Sequence, residues 1–319
     1  MKLPGRKTEN THVSSISKFD FVFKGISAFC AAAILIMVAA IFFELFRNSA
    51  LSISTFGLKF FITNKWNPVE QNFGALSSIY GTLVSTAIAT LIAVPLSLVI
   101  ALFLVELAPP KISQVVGSAI ELLAAIPSII YGMWGLFVFA PFMADHVQPL
   151  LGKVGGNLPL FKGPPMGIGM LTAGLILALM ILPFISSVTR DVFKMVPSVV
   201  KESAYGVGAT TWEVTGRVTI RYGLQGVIGA AFLGLGRALG ETMAVTFVIG
   251  NDHSISSSLF AAGNSIASTL ANEFTEASEP LYLSSLIELG LALYIVAFIV
   301  QIIAHFWLRR VQRKAGSGL

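Results

Sequence analysis

Six long apolar runs set the terms for anything this chain can fold into. They fall at approximately 25–45, 78–105, 115–143, 168–189, 224–250 and 282–307. A helix needs roughly 20 residues to cross the hydrocarbon of a bilayer, and each run is longer than that. Lipid offers backbone groups no partner, so a span is a helix or part of a closed barrel. The runs are continuous rather than alternating, which selects helices. Of 319 residues, 55% are hydrophobic and only 12% charged, about half the charged share of an ordinary soluble domain. The expected fold is all-α and polytopic, with six transmembrane helices. The first run exceeds the roughly 7–15-residue core of a secretory signal, and no clear small-x-small cleavage site precedes a soluble domain, so it reads as an uncleaved span.

Lysine and arginine placement orients the spans. With the N-terminus inside, the inner segments hold Lys2, Arg6, Lys7, Lys18, Lys24, Lys111, Arg190, Lys194, Lys201, Arg217, Arg221, Arg309, Arg310, Arg313 and Lys314. The outer loops hold Arg47, Lys59, Lys65, Lys153 and Lys162. This split of fifteen against five predicts both termini on the cytoplasmic side of a cell membrane. The single cysteine, Cys30, lies in an apolar run and forms no intrachain disulfide. The four histidines (His12, His146, His253, His305) have no metal-ligand spacing, and HExxH, GxSxG and DxDxDG are missing. No metal, cofactor or covalent chemistry is expected.

Residues 190–222 form the longest inner segment between spans and read as two short helices. Ser198, after Pro197, can cap the first, and Gly206 and Gly208 can end it. Thr210 followed by Glu213 is a capping-box pattern that can start the second. A helix-turn-helix this short, tethered at both ends and only mildly basic, is no reader of nucleic acid.

The stretch "KESAYGVGATTWEVTGRVTIR" (201–221) resembles the EAA loop of the permease subunits of ATP-binding-cassette importers. Glu202, Ser203 and Ala204 match its start, Gly208 its glycine, and Val218 and Ile220 its closing aliphatics. Arg221 stands where that loop has proline. Further stretches at 72–83, 80–109, 121–141, 234–251 and 263–274 are similar to the C-type permeases of the phosphate-specific transport system. The resemblance covers approximately residues 20 to 308. It implies a type I importer (MetI-like) permease fold in the inner membrane of a bacterium. The implied divisions are a cytoplasmic segment 1–24, a first helix and periplasmic loop 25–76, a permease domain 77–308 with its coupling loop at 198–221, and a tail 309–319. It also implies an assembly in which a related A-type permease pairs with this chain as a heterodimer. Two ATPase copies sit on the inner face, and a periplasmic phosphate-binding protein docks outside. In such permeases Glu202, Ser203, Ala204 and Gly208 belong to the helix that rests on the ATPase. A short capped helix suits that role, because a rigid element transmits domain motion better than a flexible loop.

The chain carries no phosphate-cradling GxxxxGK[ST] loop. The only Gly-Lys pair, Gly152-Lys153, is followed by Val154. Energy must therefore come from a partner or an ion gradient. The charges inside the spans are the candidate site. A mid-span arginine costs roughly 2.5–3.5 kcal/mol on insertion scales and is a functional candidate by default. Arg237 and Glu241, four residues apart, are expected on one helix face, where they can pair. Gly236 and Gly240 beside them make a GxxxG step that lets another helix approach. Residue counting puts Glu288 about 10 Å from the outer end of its span and Arg237 about 21 Å from the inner end of its own. These depths nearly coincide in a core about 30 Å thick. Glu121 is shallower on the inner side.

Arg237 can then be a structural salt bridge, a direct contact for phosphate, or a conformational latch. Prolines 95, 127 and 183 fall inside expected spans, as bends or as gating kinks. Glu273, Glu276 and Glu279 make an outer loop acidic, as a solvated surface or a docking face. Two alternatives stay open for function. One is an ion-coupled secondary anion transporter that uses Arg237, Glu241 and Glu288 as a proton relay. The other is the same importer type carrying molybdate, tungstate or sulfate.

Overall fold

The structure, a computed structural model, describes residues 10–155 and 158–316, with side chains from 20 to 307 in that range. The charges Lys2, Arg6 and Lys7, and the side chains of Lys18, Arg309, Arg310, Arg313 and Lys314, lie outside it. Among the described residues there is no strand beyond two isolated bridges, Asn67↔Asn72 and Gly250↔Gly263. Among the described residues six helices are long and apolar enough to cross a membrane.

The chain divides into two units, Met1–Asn48 and Ser49–Leu319. The first is one helix, α1 (Asn10–Asn48). In the second, α2 (Ala50–Phe56) leads into a 3₁₀ turn and a loop. The spans α3 (Leu76–Leu107), α5 (Ser128–Gly155), α6 (Met170–Lys194), α8 (Thr211–Leu239) and the final helix α11 (Pro280–Gly316) follow. Between them lie α4 (Pro110–Ala124), α7 (Ser198–Gly206), α9 (Met243–Val248) and α10 (Ile266–Glu273). The loop before α3 falls in the second unit. Ser52 of α2 bonds Ser284 and Ser285 of α11, and Phe73 stacks on Tyr282 at 5.2 Å.

Three expected elements are drawn differently. The run at 115–143 is two helices, because the chain turns at 125–127 between Ala124 and Ser128. Pro127 occupies the position just before α5, where its missing N–H costs nothing. Of the three prolines expected inside spans, Pro95 and Pro183 lie there. The second short helix of the 190–222 segment is the start of α8, which runs on through a π-helical turn at Thr215–Thr219. The run at 224–250 is interrupted, since α8 stops at Leu239 and α9 restarts at Met243.

The core is the packing of α3 on α6. Along α3 the buried positions Ser77, Gly81, Ser85, Ala89, Ala93, Ser97 and Ala101 recur every four residues, which lays a stripe of small side chains down one face. Ile88 of α3 comes so close to Gly174 of α6 that a Cβ there would be 2.7 Å from it. In lipid there is no hydrophobic drive between helices, so close contact of small residues supplies the attraction. α8 approaches α6 in the same way, through Gly223, Gly226 and Gly234 against Phe193, Val192 and Ile185. The expected GxxxG step does not serve this purpose. Gly236 meets Gln301, and Gly240 ends the helix.

At the end of the bundle that carries α10, a Cβ on Gly81 would lie 1.9 Å from the Asn264 carbonyl oxygen. That neighbour is backbone and cannot rotate away. Gly81→Ala should therefore lower stability by about 1–3 kcal/mol. Thermal unfolding of the purified protein in detergent reads this, and a melting temperature equal to the wild type would show that the loop at 264 yields freely.

Candidate functional site

The interruption after α8 places Arg237 and Glu241. Gly240 closes the helix, and residues 240–242 are irregular. α9 then carries the chain to the α10 end of the bundle, where the Val248 carbonyl accepts from Gly169 N–H at 2.9 Å. The break is therefore inside the span. Irregular backbone at membrane depth is tolerated only where protein covers it or water fills a cavity beside it.

The break also separates the two charges. Glu241 is not on the helix face of Arg237, and its Oε1 accepts from Ala244 N–H at 3.1 Å, holding the first turn of α9. Arg237 is exposed in this chain and makes no ion pair among the described residues. Beside the break, α5 meets α9 closely at Gly132, where a Cβ would be 3.0 Å from Ala244 Cα. Arg237 precedes the gap between α8 and α9, and Glu241 lies within it.

The other two expected site carboxylates are elsewhere. Gln301 of α11 bonds the Phe232 carbonyl and sits against Gly236. Glu288 is 13 residues earlier on α11, about 20 Å along the helix, so its depth does not coincide with that of Arg237. Counting from span ends missed this because it assumes helices that begin level with one another. Glu288 is 1% exposed and faces the Ser52 hydroxyl of α2. Its Oε2 has no hydrogen-bond partner among the described residues. Glu121 of α4 pairs with Arg190 of α6, which is 7% exposed. Gly117 makes room for that guanidinium, because a Cβ there would overlap Nη1. Arg190, counted from sequence only as an orienting charge, is a buried tie between α4 and α6.

The EAA-like segment folds largely as its residues suggest. α7 begins at Ser198, although Pro197 precedes it and no side chain caps its first turn. Gly208 takes φ +88, a left-handed conformation that favours glycine. Thr210 and Glu213 form the reciprocal capping box, with Glu213 Oε2 accepting from Thr210 N–H at 3.0 Å. Glu202, Ser203 and Gly208 are exposed and Ala204 is half-buried. Around them Val199, Val207 and Trp212 stand out from the surface, Trp212 at 86% exposure. They gather exposed apolar side chains on one short loop.

At the opposite end Glu273, expected in a solvated or docking loop, is enclosed. It accepts from Trp66 Nε1, from Tyr282 Oη at 2.8 Å, and bonds His253 Nε2 at 3.1 Å, while Trp66 stacks on His253. One carboxylate thus joins the loop before α3, the loop after α9 and the start of α11. Burial pushes its pKa up, but the hydrogen bonds from His253, Tyr282 and Trp66 more than offset that and hold it below the usual range. Glu276 and Glu279 remain exposed.

These features define the membrane component of an importer. Residues 93–315 match the family "Binding-protein-dependent transport system inner membrane component", and the chain belongs to that family. Within it, the phosphate transport system permease protein PstC of Mesorhizobium japonicum is 52% identical over 316 residues, covering 98% of this chain and 97% of its own. The PstC proteins of Pasteurella multocida and Haemophilus influenzae are 52% and 50% identical over 301 and 302 residues. They cover 93% of this chain each, and 94% and 96% of their own lengths. A crystal structure of a bacterial transporter that imports the acidic polysaccharide alginate has a chain of the same fold. Its TM-score is 0.61 at 17% identity, over 94% of this chain and 99% of that one. An inward-facing MetNI methionine transporter gives 0.52 at 16% identity, over 75% and 94%. The fold is that of a MetI-like importer permease. The ion-coupled alternative falls away, because the family works with a binding protein.

The Glu273 junction has a pH signature. A carboxylate held below its unfolded pKa of about 4.3 contributes stability above that pH and loses it as pH falls through the folded value. Glu273→Gln should be less stable than the wild type at neutral pH, and the gap should close below about pH 4. Melting curves of both proteins between neutral and acid pH measure it; a gap independent of pH would mean the carboxylate charge contributes nothing.

Proposed function

We propose that this chain is the phosphate-translocating half of an ATP-driven importer, working by alternating access between periplasm and cytoplasm. The observation that carries the reading is Arg237, an unpaired guanidinium exposed beside a break inside a span. A cation there cannot face lipid cheaply, so it faces a water-filled path or a second protein. The guanidinium offers forked donors that match phosphate oxygens. The names borne by the relatives point to the same anion. The salt-bridge reading loses ground because Glu241 is turned to α9 and Glu288 is far along α11.

A related A-type permease covers the Arg237 face and closes the path. α7 faces the cytoplasm, with both termini on that side, and its exposed Glu202, Ser203, Ala204 and Gly208 seat on an ATP-hydrolysing subunit. Trp212 and Val207 add apolar contact there. The ATPase subunits close on ATP and move α7, and a periplasmic phosphate-binding protein delivers the anion to the α10 end.

Labelled-phosphate uptake in a bacterial strain lacking this chain tests the reading. Wild type should restore uptake that resists sulfate and molybdate, survives a proton-gradient uncoupler and stops on ATP depletion. Rescue of another anion instead would keep the importer and discard phosphate. Arg237→Gln should lower uptake about 10–100-fold, the range of a lost charge-assisted bond, and Arg237→Lys should stay well below wild type. Near-normal uptake in the lysine variant would rule out forked recognition. Glu202→Lys should leave the protein in the membrane and abolish uptake; wild-type uptake in that variant would remove α7 as the lever.

A further inference from the structure

α7 is joined to the spans by one polar contact. Among its described side chains, Lys201 alone bonds outside the loop, and its target is Glu106 at the α7 end of α3. Glu106 Oε1 accepts from Lys201 Nζ at 2.6 Å and from Thr219 Oγ1 at 2.8 Å. The glutamate side chain is 7% exposed and the lysine side chain 18%, and Thr219 is fully buried. Three separate elements therefore meet on a single oxygen.

The placement is unusual for a surface loop. A lysine on such a loop normally keeps its ammonium in water and its rotamers free. Here Lys201 gives up both to reach under α7, while Glu202, Ser203, Tyr205 and Gly206 stay exposed. A loop serving only as a docking surface has no need of that inward anchor. Both of the other elements are π-helical where they meet it. Glu106 lies in the turn Phe103–Leu107, and Thr219 closes the turn Thr215–Thr219. A π turn holds an extra residue, so it is a place where a helix can bend or slip, and such turns concentrate at functional sites.

We propose that Glu106 is a positioning residue for energy coupling, a clamp that makes α7, α3 and α8 move together. A push on α7 then displaces both spans; without the clamp the loop yields by itself. This rests on the reading of α7 as the lever of an ATP-driven importer.

The test uses the complete importer in proteoliposomes, with wild type, Glu106→Ala, Glu106→Gln, Lys201→Glu and the swap that joins Glu106→Lys to Lys201→Glu. ATP hydrolysis, phosphate taken up per ATP, and hydrogen exchange across 198–206 are measured. In Glu106→Ala, hydrolysis should persist while uptake per ATP falls about tenfold, within the usual span of coupling between sites. Exchange across α7 should rise. The swap should recover most of the ratio that Lys201→Glu alone loses, whereas a merely structural role would lower hydrolysis and uptake together. If Glu106→Ala fails to assemble, Glu106→Gln, nearly the same shape, should show a smaller fall in the same ratio. Wild-type uptake per ATP in both Glu106 variants, or equal losses of hydrolysis and uptake that the swap leaves uncorrected, would overturn the clamp. If the wild type takes up no phosphate, the functional reading fails, and the exchange data still judge the clamp, which unchanged protection of α7 in Glu106→Ala would overturn.

Discussion

Close contact between α3 and α6 is the constraint on which the rest depends. The small residues that recur every four positions along α3 let the two backbones approach where lipid supplies no other drive. Serine and threonine suit such a face, since their hydroxyls return to the helix. Thr82 bonds Ser78 O and Ser85 bonds Gly81 O, each four residues back. With α3 and α6 joined, α8 closes on α6 through its own glycines, and α9 fills the space beside α5. Larger side chains at these positions would push α3, α6 and α8 apart.

That rigid centre makes the treatment of charge intelligible. Arg190 is buried and paired with Glu121, Lys201 with Glu106, and Glu273 is held by three donors. Each of these ties one peripheral element to the core. Arg237 differs, having no ion partner among the described residues. A charge satisfied within the chain serves the fold, whereas one left open inside a span is free to meet something that passes.

Much of this was legible in the residues. The spans were visible because apolar length alone decides membrane crossing, and the α7 loop because Gly208 and the Thr210–Glu213 box are local devices. The recurrence of small residues from Ser77 to Ala101 was equally visible and marks the α3 face, yet a search for charges and motifs passes over it. The break at Gly240 was harder to see. Glycine in a span is common, and nothing between Leu239 and Met243 excludes a helix by propensity. Glu106 and Lys201 are 95 positions apart, and no spacing rule connects residues so distant.

The sequence by itself determined the membrane as solvent, the number of crossing helices and the capped turn that joins α7 to α8. These follow from hydropathy and from hydrogen bonds within a few residues. Only the tertiary structure decided which charges meet. It parted Arg237 from Glu241 by ending a helix between them, set Glu288 far along α11, and gave Arg190, Lys201 and Glu273 their partners. Electrostatic pairing depends on distances between separate helices. Those distances come from how closely small residues let the backbones approach, and no single stretch of the chain encodes that.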